Sequence, residues 1–196
     1  MLPTIESAAV AVNRQVIGIE FEDEKERELF WKEYELSGEE QEAITMGSLK
    51  HSGVGTRLIT RMGAYVETNR LGAVYGPDAT FLVGGKDRLP DVSFLSASRF
   101  PAEGETLDKC PVAPDLAVEV ISPNDIWEKV NSKVLEYFNA GVQQVWLISL
   151  EHNQVFVYES PSLIRILYEK DDLTNEELLP GFRCRIRELF QQPART

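Results

Sequence analysis

The sequence predicts a mixed α/β (α+β) fold in which a mixed β-sheet is flanked by helices. Two short and almost wholly apolar segments, 116–121 and 145–150, are typical of strands that are buried on both faces. A segment with helical character lies between them, and this strand–helix–strand order implies a right-handed parallel crossover. Several other short extended segments are joined by turns, which adds neighbours to the sheet.

The first half of the chain predicts strands at its start and then one long helix. Residues 14–22 alternate in part and favour an edge strand, residues 24–34 favour a short helix, and Ser37-Gly38 marks the turn of a hairpin. The apolar positions from 54 to 66 then follow the 3.6-residue period of a helix. This helix is predicted to begin at Ser52-Gly53 and to end at 69–72.

The second half predicts the rest of the sheet. Asp125 is predicted to cap the central helix, with Glu128 three residues later, and Gly141 is predicted to end it. A short segment ending near Phe190 closes the chain, with polar residues at 173–177 before it. The predicted short strands are 73–75, 79–83, 91–95, 116–121, 145–150, 154–158 and 163–168.

Length and composition predict one globular domain. The chain has 196 residues, of which 43% are hydrophobic and 27% are charged, as is usual for globular proteins. We expect an N-terminal extension at 1–33, a domain at 34–190 and a tail at 191–196. No apolar run approaches the roughly 20 residues that span a bilayer. Two distant cysteines and the lack of a secretory signal favour a reduced, cytoplasmic protein without a membrane partner.

The charge of the chain limits the classes of function. A net charge of −12 and a pI of about 4.7 argue against a protein that coats nucleic acid nonspecifically, because such binding needs many lysines and arginines. An enzyme that acts on nucleic acid is still compatible with this charge, since a metal site concentrates carboxylates.

Two carboxylates next to apolar segments are the candidate metal ligands. Glu119 interrupts the apolar run 116–121, where a carboxylate is costly unless it is paired or bound to a metal. Asp91 begins another predicted strand, although Pro90-Asp91 taken alone fits a turn equally well. Mg²⁺ or Mn²⁺ prefers carboxylate oxygens and can assist phosphodiester hydrolysis. We therefore predict that Asp91 and Glu119 bind such a metal.

A lysine of the following helix can complete this site. Lys129 and Lys133 are four residues apart and share one helix face. A lysine beside a metal can orient water or neutralise charge in the transition state. Exposure to solvent is the equally common alternative for both lysines.

Several segments, in their order along the chain, resemble a known family. They are Pro90-Asp91, the run Pro114-Asp115-Leu116-Ala117-Val118-Glu119-Val120-Ile121-Ser122-Pro123, the helix with Lys133 and Tyr137, the turn Ala140-Gly141-Val142, and Val145-Trp146. Together they resemble a bacterial family of restriction-endonuclease-like proteins in the PD-(D/E)XK nuclease superfamily, long catalogued as a domain of unknown function. The resemblance covers roughly residues 34–190.

The resemblance implies a restriction-endonuclease-like αβββαβ core, with strands added at both ends, and a metal site at Asp91 and Glu119. It also implies a Mg²⁺-dependent (or Mn²⁺-dependent) endonuclease that hydrolyses DNA. The superfamily places a lysine two residues after the glutamate, where this chain has Ile121. Within the family the lysine is expected on the following helix, which matches Lys133, with Lys129 as the second choice.

Further residues are supporting candidates by the same resemblance. His51 matches a family histidine before the first core helix and could contact phosphate, water or a carboxylate, although a polar residue at a helix start is as good a reading. Glu39 and Glu42 are alternative acidic members of the site. Analogy with enzymes of this fold predicts a homodimer. Two alternative functions are a non-catalytic interaction module that keeps the nuclease fold and a hydrolase of RNA or another phosphodiester.

Overall fold

The computed structural model describes residues 11–12, 15–16, 48–102, 104–105, 108–122 and 125–192. The chain forms two compact units, Met1–Ser48 and Leu49–Thr196. In the first unit, β1 (Ala11–Val12) and β2 (Gln15–Val16) pair antiparallel. The predicted helix at 24–34 and the hairpin at 37–38 lie outside the described residues, as do most of the predicted strand at 14–22 and both Glu39 and Glu42. The domain bounds at 33 and 190 stay predictions.

The second unit begins with α1 (Leu49–Asn69), which buries one apolar face. Val54, Leu58, Met62 and Val66 are wholly buried, and their spacing is that of one side of a helix. The helix begins three residues before the predicted start, so that Ser52 and Gly53 lie within its first turns. Its end matches the prediction.

One mixed sheet of six strands forms the centre of the second unit. Its spatial order is β10-β9-β8-β7-β6-β3, in which β7 and β8 are parallel and the other neighbours are antiparallel. A separate hairpin joins β4 to β5. The strands of this region are β3 (Gly72–Tyr75), β4 (Phe81–Val83), β5 (Lys86–Arg88), β6 (Val92–Ser96), β7 (Leu116–Ile121), β8 (Gln144–Ser149), β9 (Gln154–Ser160) and β10 (Leu163–Leu167).

The strand–helix–strand crossover is confirmed, and α2 (Trp127–Asn139) provides it. Asp125 was expected to cap this helix, and that expectation is wrong. Its carboxylate instead accepts hydrogen bonds from the backbone and side chain of Ser122, at 2.5 and 2.8 Å. Ile126 occupies the capping position without a side-chain hydrogen bond. At the other end Gly141 has a φ of 88°, the left-handed conformation that glycine supplies after a helix.

Helices cover both faces of the sheet, so each face has its own apolar core. Alternate residues of β7 point to opposite sides. Val118 and Val120 pack in the cluster that contains the buried residues of α1, whereas Ala117 packs in the cluster of Val134 and Tyr137 from α2. This alternation places Glu119 on the side of α2.

The chain ends with β11 (Asp172–Asn175), β12 (Leu179–Arg185) and the short helix α3 (Ile186–Phe190). β11 was not predicted, because polar residues dominate its sequence and only Leu173 is a buried hydrophobic residue. It pairs with β12 as a two-stranded sheet. No helix within the described residues is both long enough and apolar enough to cross a membrane.

Candidate active site

The register of β6 and β7 brings Asp91 and Glu119 together. Val92 pairs with Val118 and Ser93 with Ala117, so that one further antiparallel step places Asp91 opposite Glu119. Directly opposite residues of such a pair have Cβ atoms about 5 Å apart. The backbone N–H of Val120 donates to Asp91 Oδ2 at 2.7 Å. Residues that are 28 positions apart in sequence thus share one edge of the sheet.

Two side chains of α2 bind the Glu119 carboxylate. Lys133 Nζ donates to Oε2 at 2.8 Å, and Tyr137 Oη donates to Oε1 at 2.6 Å. Lys133 and Tyr137 are one helical turn apart and therefore lie on the same face of α2. The Glu119 side chain is 12% exposed, so that most of it is removed from solvent.

The environment of Glu119 disfavours its ionised form. Burial raises the pKa of Glu119, the charge of Lys133 lowers it, and the charge of Asp91 raises it again, with a net shift upward. Two like charges this close repel each other, and a bound cation would relieve that repulsion.

His51 approaches the site from the first turn of α1. Its Nε2 lies 3.5 Å from Asp91 Oδ2. The hydrogen bond with Asp91 raises the pKa of His51 above its usual value, while burial acts in the opposite direction. The contact that the structure shows for this histidine is thus with a carboxylate, which was one of its three expected partners.

The donors suit a magnesium-type ion better than zinc. Within the described residues, no group of three or more His, Cys, Asp and Glu side chains is placed to hold a metal ion. Mg²⁺ does not need such a group, since it is usually bound by one or two carboxylates together with water and substrate phosphate. Asp91 and Glu119 form a pair of that kind, and each carboxylate keeps free lone pairs.

Of the two candidate lysines, the structure places Lys133 at the carboxylate. Lys129 is exposed and lies one turn nearer to the start of α2. Ile121, at the position of the usual superfamily lysine, packs beside the apolar cluster on the α2 side. The lysine that meets Glu119 therefore comes from the helix, as the resemblance implied.

Sequence reasoning assigned no role to two residues that the structure makes prominent. Tyr137 was recognised only as part of the family motif, although its spacing of four from Lys133 indicates that both residues lie on the same helix face. Asp115 is wholly buried, and it binds Arg99 Nη1 at 2.9 Å and the backbone N–H of Ser96 at 2.7 Å. No local pattern in the sequence predicts the hydrogen-bond partners of Asp115, because they come from distant segments.

Comparisons with known proteins agree with this architecture. A family model described as "Uma2: Putative restriction endonuclease" matches residues 24–187. A solved structure from Anabaena variabilis ATCC 29413, described as "a putative nuclease belonging to DUF820", is similar with a TM-score of 0.66. Its identity is 24%, over 74% of this chain and 82% of that one. No curated protein matches the chain. The solved structure supports the mixed α+β fold.

Proposed function

The chain belongs to the Uma2 family of restriction-endonuclease-like proteins, and on this basis we propose that it is a Mg²⁺- or Mn²⁺-dependent endonuclease that hydrolyses DNA. The observations that support the proposal are that Lys133 binds Glu119 and that the register of β6 and β7 sets Asp91 opposite Glu119. Family and fold support a nuclease, and the carboxylate pair supports the metal.

Asp91 and Glu119 would hold the metal, because the register of β6 and β7 sets the two residues opposite each other and both carboxylates retain acceptor capacity. When bound, such an ion polarises the phosphoryl group and makes water a better nucleophile. His51 and the Val120 N–H both contact Asp91 Oδ2 and thereby fix its orientation. The carboxylate is held in place before substrate arrives, as catalysis by positioning requires.

Lys133 would act on the substrate. Its side chain is 35% exposed, so that the ammonium group can reach a phosphate while it remains near Glu119. A positive charge at that position stabilises the negative charge that develops on the phosphate oxygens. Lys133 would thus take the role of the lysine that is missing from position 121.

The experiment is nicking of supercoiled plasmid by the full chain in Mg²⁺, Mn²⁺ or EDTA, with structured RNA in parallel. Glu119→Gln and Lys133→Ala should each lower the rate at least about 100-fold, as losses of single charge-stabilising groups do. Lys129→Ala is the matched control on the same helix and should keep most of the rate.

Three results would decide against parts of the proposal. DNA that stays intact with both metals, over linear, supercoiled and single-stranded substrates, would favour a non-catalytic module. Cleavage of RNA alone would keep the metal site but change the substrate. Equal loss in Lys129→Ala and Lys133→Ala would contradict the role given to Lys133.

We also propose a homodimer, which light scattering would detect as twice the chain mass.

A further inference from the structure

We propose that Tyr137 is a positioning residue that holds the Glu119 carboxylate in the orientation that binds a divalent cation. The inference rests on the proposed metal site and adds a residue that site did not include. Tyr137 would not touch the substrate or the ion. Its effect would pass entirely through Glu119.

The first support is the geometry of the contact. The Tyr137 hydroxyl donates to Glu119 Oε1 at 2.6 Å, within the range of a good O–H···O hydrogen bond. A carboxylate oxygen has two lone pairs, so that one hydrogen bond leaves the other lone pair available for a cation. Tyr137 can therefore fix the carboxylate without blocking it.

The second support is the rigidity of the donor. Tyr137 is wholly buried and belongs to the same apolar cluster as Val134 and Leu147. Close packing of this kind confines an aromatic ring to one rotamer.

The third support is the contrast with Lys133, the other donor to Glu119. Its side chain is 35% exposed, whereas that of Tyr137 is wholly buried. Lysine is a flexible point charge on a long stem, and a substrate phosphate competes for it. When Lys133 turns to the phosphate, Tyr137 is the donor that still holds Glu119.

The test compares Mn²⁺ binding by titration calorimetry in the wild-type chain and in Tyr137→Phe. Loss of a partner that orients a metal ligand lowers metal affinity about 10–100-fold, and we expect that loss here. Tyr158→Phe is the matched control, because Tyr158 is also wholly buried on the α2 side of the sheet, and its hydroxyl has no hydrogen-bond partner among the described residues. The control should bind Mn²⁺ as the wild type does.

A second readout is the rise in melting temperature with Mn²⁺. The rise is taken for each protein relative to its own melting temperature without metal. This difference reports binding to the folded state, so that a lower basal stability of Tyr137→Phe does not enter it. Tyr137→Phe should show a smaller rise than Tyr158→Phe. Equal rises, or equal affinities in the wild type and Tyr137→Phe, would overturn the inference and leave the proposed nuclease intact.

A second variant separates the two donors. Lys133→Met removes the positive charge beside the Glu119 carboxylate. It should raise the affinity for Mn²⁺ and lower the cleavage rate. If Lys133→Met instead loses affinity as Tyr137→Phe does, the lysine shares the positioning role and the inference is wrong as stated. A wild-type chain that binds no Mn²⁺ would overturn the metal site together with this inference.

Discussion

At the scale of single residues, Glu119 is where sequence reasoning was most informative. A carboxylate inside an apolar strand signals an unusual environment, and the structure gives that residue two donors and a nearby carboxylate. The donors themselves were harder to foresee, because either lysine of the helix could have faced the strand. The two lysines share one face of α2, so the position of Glu119 along the helix axis decides between them, and the packing of the helix on the sheet sets that position.

Glu119→Gln should stabilise the metal-free protein at neutral pH. The pKa of Glu119 is raised by burial, in spite of Lys133, so that folding favours the protonated form. The ionised Glu119 carboxylate lowers the free energy of unfolding. This loss of stability is absent at pH values below the usual pKa of a glutamate, and it appears as the pH rises through the raised pKa. Glutamine does not ionise, and it can still accept the hydrogen bond from Tyr137.

Thermal unfolding in EDTA at pH 4 and pH 8 checks this prediction. The melting temperature of Glu119→Gln should exceed that of the wild type by a few degrees at pH 8, since about 1 kcal/mol corresponds to ~2–4 °C in a chain of this size. The difference should shrink at pH 4. A variant that is less stable than the wild type at pH 8 would mean that Lys133 more than compensates for burial.

At the scale of elements, the strands and helices with strong periodicity were predicted, and those specified by distant contacts were not. The long helix α1 and the buried strands β7 and β8 carry their own signals in the sequence. β11 does not, because it is ordered by its pairing with β12. The cap of α2 was misplaced because Asp125 has a better local partner in Ser122. Local competition of this kind shifts the ends of elements and leaves their order intact.

Asp115 joins three elements at the end of the sheet away from Glu119. It lies just before β7, and its carboxylate binds Arg99 and the N–H of Ser96, the last residue of β6. Its backbone carbonyl accepts from the Gln143 N–H just before β8. Burial acts to raise the pKa of Asp115, but the hydrogen bonds from Ser96 and Arg99 outweigh it, and the pKa is lowered. The ionised carboxylate thus helps to fix the strands that carry the site.

Asp115→Asn should destabilise the fold by about 3 kcal/mol at neutral pH, as does the loss of one partner of a buried ion pair. Because the pKa is lowered, this contribution is present above the usual pKa of an aspartate and is lost as pH falls through the lowered value. Urea unfolding at pH 7 and pH 3 would measure both effects.

Asp87→Asn, in the exposed pair with Lys109, is the control and should cost at most about 1 kcal/mol. Equal losses in the two variants would contradict the anchoring role of Asp115.

At the scale of the whole molecule, the acidic chain and the DNA proposed as its substrate would repel each other. The net charge is −12, and DNA binding by charge alone relies on cations that neutralise phosphates. The carboxylate pair at the site adds to the repulsion where the phosphate must come closest. A divalent ion at Asp91 and Glu119 would reverse the local sign, so that the metal would serve binding as well as chemistry.

DNA binding should therefore depend on the metal before any bond is cleaved. In fluorescence anisotropy with a labelled duplex, Ca²⁺, which also prefers carboxylate oxygens, should tighten binding at least ~10-fold over EDTA at the same ionic strength, a gain of about 1.4 kcal/mol. Asp91→Asn should lose most of that gain. It should also bind no more weakly than the wild type in EDTA, because it carries one negative charge fewer. Equal affinity of the wild type for DNA in Ca²⁺ and in EDTA would contradict this prediction. DNA would then bind away from the carboxylates, at a basic surface that is not evident from the net charge of the chain.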